Sequence, residues 1–109
     1  MLESLFGNTV IEKIFFFLAT YEEGYPLGMA KTFGVPVNRI QQQLKRLEDG
    51  GIVASRLVGN VRLYTFNPRY PLLKELDKLI ANAFEFIPDS DKDKFYRRRT
   101  RPRRAGKPQ

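Results

Sequence analysis

Cysteine and histidine are both absent from the 109 residues of this chain. With them go disulfides, iron–sulfur clusters, thiolate metal sites, most zinc and copper centres, and the Ser-His and Cys-His nucleophile pairs. Catalysis would have to rest on carboxylates, lysine or tyrosine. The acidic groupings are Glu22-Glu23, Glu48-Asp49 and Asp89 to Asp93. Each lies near a helix end or in the C-terminal tail, with no nucleophile and no phosphate-cradling glycine loop beside it. They read as solvated charge. The expectation is a protein that is not an enzyme and carries no cofactor or metal.

The spacing that does carry chemistry lies between Asn38 and Leu47. Ile40, Leu44 and Leu47 recur at helical intervals and form a buried stripe. Asn38, Arg39, Gln41, Gln42, Lys45 and Arg46 then point outward. Amides pair bidentately with adenine and guanidiniums with guanine, so these groups match base edges. No acidic residue occurs between Gly34 and Leu47, as a helix entering a phosphate-walled groove requires. A solvated face of good helix formers would carry the same residue types.

The surrounding chain must position that helix. Asn8 to Tyr21 reads as a first helix, with Asn8 or Thr9 as its cap and Phe15 and Phe16 widening its apolar surface. Gly24 and Pro26 break it, and Tyr25 between them suits a short strand. A short second helix follows over about 27–33 and stops at Gly34. The third, about 36–48, opens at Pro36, where a missing N–H costs nothing, and closes at Gly50-Gly51. Two β-branched runs around Gly59-Asn60 predict a hairpin over 52–66. Its register places Val53, Ser55 and Leu57 on one face with Arg62, Tyr64 and Phe66. A last helix runs from Pro71 to about Phe86. The class is mainly α with a β-hairpin (α+β), in the order α-α-α-β-β-α.

The segment from Leu27 to Leu44, with Ala30, Gly34, Val35 and Ile40 at the spacing of two closely crossed helices, resembles a helix-turn-helix. Together with Lys45 to Val53 and the hairpin, residues 5–86 resemble compact ArsR/MarR-type winged helix-turn-helix transcriptional regulators. The resemblance implies sequence-specific binding of double-stranded DNA, with helix 36–48 in the major groove and hairpin 52–66 as the wing. Arg56 and Arg62, near the hairpin tip, become candidate backbone or minor-groove contacts, although the register puts them on opposite faces. Such regulators commonly dimerise through terminal helices, which implies a homodimer through the first and last helices. The metal-sensing members use Cys and His ligands. This chain has neither, so metal sensing of that kind is not implied.

Charge divides the chain in two. After Ile87, nine Lys/Arg stand against three Asp, an excess of six out of a net charge of +7. Residues 1–87 therefore form the expected winged-helix domain and 88–109 a basic tail with too little apolar content to fold alone. Arg97, Arg98, Arg99, Arg101, Arg103 and Arg104 are candidate phosphate contacts. Phe95-Tyr96 just before them can stack on bases or pack back on the last helix. No stretch approaches the roughly 20 apolar residues of a membrane span. A cytoplasmic, nucleoid-associated protein is expected. The near-neutral charge of 1–87 keeps two other uses open, a winged-helix protein–protein adaptor and a non-specific nucleic-acid binder anchored by the tail.

Overall fold

The computed structural model describes residues 2–97. Its elements are α1 (Glu3–Phe6), α2 (Thr9–Tyr21), α3 (Pro26–Phe33), α4 (Val37–Asp49), β1 (Val53–Val58), β2 (Val61–Phe66), α5 (Leu73–Phe84) and α6 (Asp89–Phe95). The expected helices and hairpin are all present, and α1 and α6 are added at the two ends.

Helix α2 is the axis of the core. Asn8 caps it by accepting from the Ile11 N–H at 2.8 Å, which satisfies a donor with no partner inside the helix. Val10, Ile11, Ile14, Phe15, Phe16 and Leu18 are all buried. Phe15 packs edge-on against Phe6, with centroids 5.0 Å apart, and touches Phe66 of β2. Phe16 meets Phe84 and Tyr96. These two phenylalanines thus fill the protein's own core, which corrects the expectation that they would help face a second copy.

Helices α3 and α4 meet at Gly34. Its φ of 67° allows the left-handed turn, and its N–H donates to the Ala30 carbonyl at 2.8 Å. Ile40, Leu44 and Leu47 bury one side of α4. The hairpin is antiparallel in the expected register, pairing Val53 with Phe66, Ser55 with Tyr64 and Leu57 with Arg62. Gly24, rather than Tyr25, adds a third short edge, exchanging backbone hydrogen bonds with Tyr64 at 3.0 and 2.8 Å. A Cβ there would lie 2.5 Å from the Phe17 ring, so the loop approaches this close only as glycine. At the hairpin's base, the Asn67 amide donates to the Gly51 carbonyl at 2.8 Å and ties the end of β2 to the start of β1.

The packed chain runs past the boundary expected at residue 87. After Pro88, α6 folds back and buries Tyr96 among Phe16, Phe33 and Phe84. The Tyr21 hydroxyl donates to the Phe95 carbonyl at 2.8 Å. The pair Phe95-Tyr96 therefore packs inward. The tail's low apolar content is offset by these two rings, which find ready-made partners on α2, α3 and α5.

Candidate nucleic-acid interface

Helix α4 divides cleanly. Asn38, Arg39, Gln41, Gln42, Lys45 and Arg46 are all exposed, opposite the buried Ile40, Leu44 and Leu47. At 100° per residue, Asn38 and Gln42 point most directly outward, and Lys45 lies about 50° to one side of that direction. Gln41 leans to one side, the same side as Glu48, whose carboxylate accepts from the Ser55 hydroxyl of β1 at 2.6 Å. Arg39 and Arg46 lean to the other, and Arg46 walls a groove that α4 shares with α5. The six candidates form one continuous surface, with Arg46 at its margin.

The third glutamine of the run behaves differently. The side-chain carbonyl of Gln43 is buried, with no hydrogen-bond donor among the described residues.

Local acids reduce the available positive charge. Lys45 pairs with Asp49, one turn on, at 3.2 Å. Arg56 pairs with Glu23 of the α2–α3 loop at 3.0 Å. Arg62 instead donates to the Ser55 hydroxyl at 3.1 Å. Glu48, Ser55 and Arg62 thus form a hydrogen-bonded chain from the end of α4 across the wing. Arg56 and Arg62 lie on opposite faces of the hairpin, as the register required.

Two features of this surface escaped the sequence. Glu48–Ser55 joins residues seven apart that meet only once the chain turns at Gly50-Gly51, and no local spacing announces it. The wing tip is apolar, with Leu57, Val58 and Val61 exposed. The hairpin register by itself does not say that these three would lie uncovered together. Arg97 is exposed, and its carbonyl lies 3.3 Å from the Tyr21 hydroxyl. The other tail candidates, Arg98, Arg99, Arg101, Arg103 and Arg104, fall outside the described residues.

Among the described residues there is no cluster of acidic side chains able to hold a metal ion, and no helix long and apolar enough to cross a membrane. No family model matches the sequence, and no curated protein matches it either. Solved structures do. The chain is similar to the AntR antimony-specific transcriptional repressor, with a TM-score of 0.60 and 21% identity over 77% of this chain and 74% of that one. It is also similar to a double mutant of Lactococcus lactis ZitR, with a TM-score of 0.50 and 16% identity over 79% of this chain and 66% of that one. The fold is the winged helix-turn-helix of such regulators, as the resemblance to the ArsR/MarR type implied.

Proposed function

We propose that this protein is a sequence-specific, double-stranded DNA-binding transcriptional regulator that works as a homodimer and is not an enzyme. The observation that carries this reading is the exposed Asn38, Gln41 and Gln42 on the second helix of a helix-turn-helix. Amides at the N-terminal half of that helix are placed to meet base edges when it lies in a major groove. Arg39 joins them as a base contact, Lys45 and Arg46 flank them as phosphate contacts, and Arg62 extends the positive surface onto the wing. Arg56, held by Glu23, is the weaker of the two wing candidates. The basic tail adds sequence-independent attraction to phosphate. A cytoplasmic, nucleoid-associated setting suits such a protein.

Dimerisation is supported by an uncovered apolar strip. Leu5 of α1, Leu79 of α5, and Leu72 and Phe86 just beyond the two ends of α5 are exposed, and exposed apolar surface of this kind marks an interaction site. AntR is an antimony-specific repressor. Thiolate capture of a metalloid is unavailable here, because the chain has no cysteine.

The apolar wing tip favours a second reading, a winged-helix adaptor that binds another protein through Leu57, Val58 and Val61. Selection of bound duplexes from a random pool at physiological salt separates the two, using the full chain and one ending at Arg97. A shared pseudo-palindromic sequence from both supports the regulator. Retention of unrelated sequences by the full chain alone leaves the tail as a polyanion anchor and gives the folded part to another partner.

A further inference from the structure

The exposed apolar side chains of the wing gather at its tip. Leu57 is 62% exposed, Val58 48% and Val61 39%. Val58 pairs with Val61 across the Gly59-Asn60 turn, and Leu57 pairs with Arg62 one step behind. Alternate residues of a strand face opposite ways, so Leu57 and Arg62 share one face of the hairpin and Val58 and Val61 the other. Arginine stems commonly lie over apolar neighbours and shield them. Here both are drawn back from the tip. Arg62 reaches along its face to the Ser55 hydroxyl at 3.1 Å, and Arg56, on the valine face, reaches Glu23 at 3.0 Å. The result is a blunt apolar end with a guanidinium behind it on each face. Hairpin 52–66 contains no Asp or Glu.

We propose that Leu57 is a wedge that inserts between two base pairs from the minor groove, unstacking that step and bending the duplex. The inference rests on the DNA-binding reading above and adds to it a contact and a deformation. A minor groove has phosphate walls around apolar sugar edges and a base stack, which suits an apolar tip backed by arginines. Charge of one sign also favours a polyanion over a protein surface of mixed charge. Undistorted, the groove is about 6 Å wide. Two strands about 4.8 Å apart, with side chains on both faces, are too broad to enter it. Prying one base step apart with an aliphatic side chain opens the groove. Leu57 suits that task because it is longer and more exposed than either valine. The hydrogen-bonded chain Glu48–Ser55–Arg62 ties the same face of the wing to the end of α4. The unstacked step therefore falls at a fixed offset from the bases that Asn38, Arg39, Gln41 and Gln42 meet. It is read by its flexibility, without a hydrogen bond to its bases.

The probe is a duplex recovered by selection from a random pool, labelled at both ends for energy transfer. Copies of it carry 2-aminopurine in place of one adenine at a time. The full-length protein should bring the ends closer, as a bend of roughly 20–90° does. It should also brighten 2-aminopurine at one step, because unstacking relieves the quenching of that base. Leu57→Ser should abolish both signals, and Leu57→Met should keep them. Leu57 lies outside the core, so thermal melts of both variants should match the parent. Exchanging a flexible pyrimidine–purine step at that place for a stiff one should cost the parent about tenfold in affinity. The same exchange should leave Leu57→Ser nearly unaffected.

Failure to recover any shared duplex would overturn the DNA-binding reading and this inference with it. A duplex bound tightly, yet straight and stacked throughout, would overturn the wedge alone. A bend and a fluorescence rise that both survive Leu57→Ser would do the same, and would leave the tip to a protein partner.

Discussion

At the scale of single residues, the six outward side chains of α4 are not equivalent. Gln42 projects straight outward with no acid paired to it in the structure, whereas Lys45 already holds Asp49 at 3.2 Å. Gln42→Ala should relax base preference at one position of the bound site and cost about 1–3 kcal/mol there. Lys45→Ala should weaken all duplexes alike and lower the slope of log affinity against log salt by less than about one unit, because part of its charge is already offset. Competition binding against single-base variants at two salt concentrations reads both effects. Uniform losses for the two variants would refute the base-reading role of Gln42. Gln43 makes the opposite case. Its buried carbonyl lacks a donor, a situation that costs about 1–3 kcal/mol. Gln43→Met keeps the volume and removes the orphan, so the melting temperature should rise by an amount equivalent to about 1 kcal/mol with DNA binding unchanged.

At the scale of elements, α6 acts as a clasp on the helical core. Tyr96 is inserted among Phe16, Phe33 and Phe84, and the Tyr21 hydroxyl holds the backbone of Phe95. Burial pushes the Tyr96 hydroxyl well above the ordinary tyrosine value, with the nearby carboxylates of Glu12 and Asp91 adding to the rise. Burial also raises Tyr21, by the same physical cause. The folded-state value then exceeds the unfolded one, so this contribution to stability is complete below the unfolded value of about 10 and is lost as pH rises above it. The denaturant midpoint should fall steadily above about pH 10 in the parent protein, and less steeply in Tyr96→Phe. Equal slopes for the two would show that Tyr96 ionises as freely when folded as when unfolded.

At the scale of the whole molecule, the N-terminal and C-terminal ends both serve the winged-helix frame. Helix α1 supplies Phe6 to the core and leaves Leu5 exposed, while the end of α6 closes over Phe16, Phe33 and Phe84. Shortening the chain to Ile87 should therefore do more than remove charge. It deletes Tyr96 from the core, and loss of a large buried aromatic typically costs about 3–5 kcal/mol. A chain ending at Arg97 should melt close to full length, whereas one ending at Ile87 should melt much lower or fail to fold. Similar melts for both would mean that α6 is dispensable. The salt dependence of DNA binding should fall in both, because the arginines after Arg97 are missing from each.

How far the sequence reaches depends on whether the determining interactions are local. Helix α4, its start at Pro36, the Gly34 turn and the hairpin register follow from residues within a few positions of one another, and all were legible. So was the outward set on α4, because burying Ile40, Leu44 and Leu47 leaves only one direction for the rest. Tertiary structure decided what depends on distant partners. Phe15 and Phe16 belong to the interior because Phe6, Phe66, Phe84 and Tyr96 come from four separate segments to meet them. The same closure turns a charged, apolar-poor segment into α6, and brings Glu23 to Arg56 and Glu48 to Ser55. Periodicity tells a side chain which way to face along its own element. Only the packing of elements tells it what it will find there.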